Sequence, residues 1–203
     1  MFAELVKNNR SYRRFYQEAS VELQTLRKLV ALTRYCPSAA NLQPLKSRYC
    51  PSAANLQPLK YILSCDAERN ALIFDHLAWA AYLKGWKGPQ EGEKPPAYII
   101  VLQDTTIAKS VDCDHGIACQ TILLGATEKG LGGCMIGAVK RKELHKAMSI
   151  SKDLIILLVL AIGKPKETVV IDSVKTDENI KYWRDSRDVH HVPKRSLDEV
   201  IVG

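Results

Sequence analysis

The sequence predicts an α+β or α/β sandwich built on a small mixed sheet, with strands and helices alternating along the chain. Three observations carry this. Residues 97–102 (AYIIVL) and 154–162 (LIILLVLAI) are short, unbroken apolar runs, the pattern of strands buried on both faces. Residues 115–129 (HGIACQTILLGATEK) are apolar nearly all round, as a central helix would be. Residues 21–33 (VELQTLRKLVALT) place Leu23, Leu26, Leu29, Val30 and Thr33 at three- and four-residue intervals, which marks an amphipathic helix.

Taken in order, Ser20 is the expected N-cap of the first helix, which ends before a proline-containing stretch. Residues 61–64 (YILS) read as a short strand, and residues 67–84 as a second helix rich in Ala, Leu and aromatics. The Gly- and Pro-dense segment 85–96 (GWKGPQEGEKPP) is a loop long enough to form a lid or pocket wall. After the strand at 97–102, the central helix ends at Gly130 as a left-handed cap, and GLGGCMIGAV turns into a third strand. Residues 140–148 form a charged helix, and the strand at 154–162 is closed by Gly163 and Pro165. The tail 166–203 is polar, with basic residues near its end, and residues 1–203 read as a single domain.

With 203 residues, 46% hydrophobic and 25% charged, the chain can bury a sizeable core, which excludes a disordered or fibrous protein. Lys and Arg number 29 against 22 acidic residues, and the resulting +7 suits phosphate-bearing or otherwise anionic partners. The longest apolar run falls far short of the roughly 20 residues of a membrane-spanning helix, and MFAELVKNNRSYRRF lacks the apolar core and cleavage site of a signal peptide. A cytosolic protein is expected. Cys36, Cys50, Cys65, Cys113, Cys119 and Cys134 form no CxxC and no paired Cys/His spacing, so they read as small apolar side chains, with neither zinc nor disulfides indicated.

One stretch is abnormal. RYCPSAANLQPLK occupies residues 34–46 and again 48–60, with only Ser47 between. A solenoid has diverged repeats of about 20–50 residues in several copies, so this identity reads as an insertion or one loop recorded twice. Any role given to Ser38 or Asn41 therefore belongs equally to Ser52 or Asn55.

Four segments could carry chemistry. NRSYRRF (residues 9–15) offers bidentate guanidinium donors and a hydroxyl to a phosphate, or is a solvated basic start. PSAANLQP can present hydroxyl and amide groups to a flat polar ring, or is turn chemistry. GLGGCMIG (residues 130–137) lets a ligand approach backbone N–H groups, or supplies a helix cap. It follows a helix and leads into a strand, so it is not the dinucleotide GxGxxG turn. PKRSLDEV (residues 193–200) carries Lys194 and Arg195, useful for an anion or for solubility. Adjacent His190 and His191 cannot face one metal and read as surface or packing residues. Asp112 and Asp114 read as a helix N-terminal charge cluster.

In this order the segments resemble the FMN-dependent nitroreductase family. NRSYRRF is similar to its N-terminal Arg-Ser-x-Arg-x-Phe segment, PSAANLQPLKYIL to its Pro-Ser-x-x-Asn-x-Gln-Pro loop and strand, GIACQTILLGATEKGLGGCMIG to its central helix and glycine turn, and VHHVPKRSLDEVI to its closing basic segment. The resemblance implies an α+β fold, a mixed sheet flanked by helices, completed by homodimerisation, with FMN in clefts at the subunit interface. It puts Arg10, Ser11, Lys194 and Arg195 near the FMN phosphate and Arg13 near the pyrimidine edge of the flavin. Pro37, Ser38 and Asn41, or their twins Pro51, Ser52 and Asn55, would reach the FMN held mainly by the other subunit. Cys134, Met135, Ile136 and Gly137 would lie along the ring, with a backbone N–H directed at N5. Asn9, Leu45 or Leu59, and Met135 depart from residues frequent in the family.

The activity implied is ping-pong hydride transfer from NAD(P)H through the flavin to a nitroaromatic, quinone or similar small acceptor, with no catalytic side chain, no metal, no nucleic acid and no membrane partner. Trp79, Tyr82 and Trp86 are candidates for a pocket wall, or for core. Two readings compete: a flavin store or sensor without turnover, and a basic nucleic-acid-binding module. The second would want a basic stripe interleaved with exposed aromatics, whereas here the basic clusters lie at opposite ends of the chain.

Overall fold

The computed structural model describes residues 1–36, 56–174 and 178–202. Its centre is a four-stranded sheet of β1 (Leu59–Ser64), β2 (Ala97–Asp104), β3 (Gly132–Ile136) and β4 (Leu154–Gly163), in the order β1-β2-β4-β3 and antiparallel throughout. Strict alternation along β2 builds two cores. Tyr98, Ile100 and Leu102 point to one face, where Ile73 of α3 (Ala67–Phe74) and Leu144 of α5 (Arg141–Ala147) cover them. Ala97, Ile99 and Val101 point to the other, under α2 (Leu23–Leu32) and α4 (Asp114–Glu128). With both faces covered, β2 and β4 need the continuous apolar runs seen in the sequence. Leu157 is the extra residue of a β-bulge, since Val101 pairs with Leu158 and Leu102 with Ile156. Ile99→Val is expected to cost about 0.5–1.5 kcal/mol in chemical denaturation, because the lost methylene leaves a gap in a fully buried layer.

Helix α2 begins two residues later than expected, with Glu22 rather than Ser20 at its N-cap. Val21 and Leu26, the N′ and N4 positions of a hydrophobic staple, enter the same core and set the chain's entry angle. Helix α4 packs so closely on α2 that a Cβ on Gly125 would sit 2.6 Å from a Leu32 methyl carbon. Gly130, at φ +70°, caps it as the sequence indicated. A short α1 (Phe2–Asn8), not foreseen, packs on α4.

Two larger differences matter for the site. The helix expected over 67–84 stops at Phe74. Residues 76–78 instead pair with the stretch after β3: Ala78 N–H donates to the Ala138 carbonyl at 2.9 Å, and Lys140 N–H to that of His76 at 2.9 Å. This exchange puts Leu77 and Trp79 in the core beside Ile136, and that burial outweighs continued helix propensity. Secondly, the polar tail is folded. It forms β5 (Val169–Val174), β6 (Trp183–Arg184), β7 (His190–Arg195) and a four-residue α6 (Leu197–Val200) that opens on a Ser196/Glu199 capping box. The sheet order is β5-β7-β6, with β5 and β7 parallel and β6 antiparallel to β7, so this small sheet is mixed.

Candidate functional site

The N-terminal segment after α1 runs along the outer edge of β3. Ser11 bridges Gly133, and Tyr12 N–H donates to the Gly133 carbonyl at 3.0 Å. This close approach explains the glycine pair. A Cβ on Gly132 would lie 2.4 Å from the Tyr12 ring, and one on Gly133 would lie 2.5 Å from the Ala161 carbonyl oxygen. These two glycines thus serve packing between protein segments. Gly137 has open space where a Cβ would be, and it lines a cavity.

That cavity, about 270 Å³, is walled by residues 78–81, residues 134–138 and Arg13. The premature end of α3 supplies one wall and the glycine turn the other. Trp79 is both core and wall, buried and in contact with Phe74 at 5.8 Å between ring centroids. Tyr82 and Trp86 lie outside the wall: Tyr82 packs on Tyr182 at 5.0 Å, and Trp86 lies under the Arg184 guanidinium at 4.4 Å. Cys134 is buried, and burial, the largest influence, pushes its thiol up despite Arg13, so it is no thiolate nucleophile near neutral pH.

A second cavity of about 360 Å³ shares Arg13 and adds Arg10, Ser11, Gln120, Tyr182, His190 and Lys194 among its walls. The two ends of the chain therefore meet here. Arg195 does not join them. Alternation along β7 turns it from Lys194's side, and it lies 3.9 Å from Glu199. Arg14 likewise turns away, to Asp188 at 3.1 Å and Glu93 at 3.7 Å. Pro37, Ser38, Asn41, Pro51, Ser52 and Asn55 lie outside the described residues.

A larger cavity, about 750 Å³, opens between α2, β1 and the start of α4. The two Arg13 cavities make the better-defined site, because they converge several cationic and hydroxyl donors on one side and an apolar wall on the other.

Sequence reasoning passed over the groups that hold Arg13 in place. Glu167 is buried and accepts from the Arg13 N–H, from the Arg14 N–H at 3.2 Å and from Arg184 Nη2 at 2.8 Å. It pins the turn of the N-terminal segment to the head of β5. His190, read as surface or packing, is wholly buried, and Arg13 Nη1 lies 3.1 Å from its Nε2. His191 stacks on Trp183 at 4.1 Å and lies 3.0 Å from Asp172. The available signal was the β-branched run TVVIDSV, which marks a strand and hence a folded tail.

Would FMN suit these residues? The donor set answers for the phosphate: Arg10, Ser11 and Lys194 line one cavity, and Arg13 lines both it and its neighbour. They fit. Among the described residues, no helix is long and apolar enough to cross a membrane.

Comparison with known proteins supplies the context. A sequence model of the nitroreductase family matches residues 6–164. No curated protein matches the sequence. Among solved structures, a nitroreductase family protein from Streptococcus pneumoniae TIGR4 is 15% identical and superposes with a TM-score of 0.68, covering 100% of both chains. A protein from Exiguobacterium sibiricum 255-15, described as a nitroreductase and solved in complex with FMN, is 17% identical with a TM-score of 0.63, covering 82% of this chain and 89% of its own. One from Parabacteroides distasonis ATCC 8503, described as an NADH dehydrogenase/NAD(P)H nitroreductase, is 18% identical with a TM-score of 0.62, covering 91% and 96%. At these identities the likeness speaks for the α+β fold.

Proposed function

We propose, from the premise that this chain belongs to the nitroreductase family, that it is an FMN-dependent oxidoreductase passing two electrons from NAD(P)H to a nitroaromatic, quinone or similar small acceptor. One observation carries the reading: Arg13 is the common wall of a cavity bearing Arg10, Ser11 and Lys194 and of a cavity walled by Trp79 and residues 134–138. When bound, FMN supplies hydride exchange at N5, and alternating donor and acceptor at one face is the ping-pong scheme.

The chain's own residues bind, orient and polarise. Arg10, Ser11 and Lys194 hold the phosphate, through charge-assisted hydrogen bonds and one hydroxyl. Arg13 puts a cation at the junction of the two cavities, where it stabilises negative charge gained by the ring system on reduction. Ile136 and Trp79 provide apolar surface in the wall of their cavity. Lys194 takes the role that the resemblance shared between Lys194 and Arg195. The homodimer belongs to the same proposal. Its support is the exposure of Leu197, Val200, Ile201 and Val202 in and beside α6, apolar surface of the kind a subunit interface covers.

The test is direct. The purified protein should show the absorption bands of oxidised flavin, release FMN rather than FAD on heating, and oxidise NAD(P)H in steady state with menadione. A colourless protein that neither takes up FMN nor turns over would refute the reading, and FMN uptake without turnover would leave a flavin store. Arg13→Ala should weaken flavin retention and lower the flavin's reduction potential. Unchanged values of both would remove Arg13 from its role.

A further inference from the structure

Arg13 is useful at the junction only if its guanidinium is held there, and a buried histidine does the holding. An arginine N–H can only donate, so the His190 Nε2 that lies 3.1 Å from Arg13 Nη1 is the bare, accepting nitrogen, and the ring proton sits on Nδ1. The same guanidinium stands 4.8 Å from the centre of the Tyr182 ring, and Tyr182 packs on the His190 ring at 5.3 Å. Nη1 also donates to the Ser11 carbonyl at 3.4 Å within its own segment, and across the fold the cation is fixed by an acceptor on β7 and an aromatic face just ahead of β6.

This arrangement has a cost that packing alone would not impose. His190 is wholly buried, yet its Nδ1 has no hydrogen-bond partner among the described residues. A buried donor left unpaired calls for a functional reason. The surroundings also keep the ring neutral. Burial first, then Arg13 from the N-terminal segment, Arg184 from β6 and its neighbour His191, push His190 from its ordinary 6.5 down to about 4. Lys194 lines the same cavity, and Glu167, ahead of β5, is engaged by Arg184 and two backbone amides. Near neutral pH the ring therefore accepts from Arg13. Protonated, it would offer a second donor to a donor.

We propose that His190 is the positioning residue of the site: through Nε2 it holds the Arg13 guanidinium between the two cavities, and so sets both the affinity for FMN and its reduction potential. This rests on the flavin reading above, and it assigns to the tail a role in tuning the cofactor through an N-terminal residue.

His190→Leu removes the acceptor, while His190→Gln can replace it with an amide oxygen. In the full-length protein, FMN titration should show binding weakened at least about tenfold in His190→Leu, with a lowered potential, and within about threefold of wild type in His190→Gln. A second readout needs no flavin. Because the folded-state pKa lies below the unfolded one, the unfolded chain binds the extra proton between about pH 6.5 and 4. Wild-type stability should therefore fall across that window as pH is lowered, and in His190→Gln this fall should be smaller by one proton's worth. A wild type that binds no FMN overturns the flavin reading, and this inference with it. A wild type that binds while His190→Leu matches it, or both variants weakened alike, overturns this inference alone. A pH profile unchanged in His190→Gln also overturns it.

Discussion

Glu167→Ala is expected to destabilise the protein by about 3–5 kcal/mol, as the loss of one partner of a buried ion pair does. The Glu167 side chain is fully buried and that of its partner Arg184 nearly so, at 2.8 Å. The substitution leaves the guanidinium without its counter-charge and strips the acceptor from the Arg13 and Arg14 amides. In a chain of this length each kcal/mol moves the thermal midpoint by about 2–4 °C, so a drop of roughly 6–20 °C is expected in calorimetry. Glu167→Gln, which keeps an acceptor but no charge, should fall between. A loss below about 1 kcal/mol in the alanine variant would mean that the pair is not the clasp between the N-terminal segment and the tail.

The second large effect concerns binding. Removing Arg10 and Lys194 together should weaken FMN at least about a hundredfold, because each contributes a charge-assisted contact worth about 1.5–3 kcal/mol to a dianionic phosphate. Wild-type affinity should fall as salt is raised, and the double variant should lose much of that dependence. Arg195→Ala is the internal control. With Arg195 turned from the cavity toward Glu199, its loss should change affinity by less than about threefold. Fluorescence titration at two ionic strengths separates the cases. An Arg195→Ala defect equal to that of the double variant would return the phosphate role to Arg195.

The four main strands were legible as apolar runs or a glycine turn, since a strand covered on both faces must be apolar at every position. Helix α4 was legible for the same reason. The helix expected over 67–84 failed because Leu77 and Trp79, which suit a helix face by periodicity, gain more by pairing and burial against the stretch after β3. That failure forms a wall of the site. The tail was underread because, the β-branched run at 168–174 apart, its strands are short and bear polar residues, and mutual pairing is what separates them from coil.

For the site, the sequence alone offered Arg10, Ser11, Arg13, Lys194, Arg195 and residues 134–137 as candidates, because guanidinium, ammonium, hydroxyl and glycine chemistry is carried by residue type. Which member of each pair faces inward could not be read from it. Lys194 against Arg195, and Arg13 against Arg14, are set by the phase of an extended backbone relative to its neighbours. Nor could His190 and Glu167 be chosen, since a histidine or glutamate becomes a clasp only when burial removes water and leaves one partner in reach. Motif order marked the family, because the motifs are local properties of the chain. Tertiary structure decided which charges converge, because convergence depends on contacts between residues more than 150 positions apart.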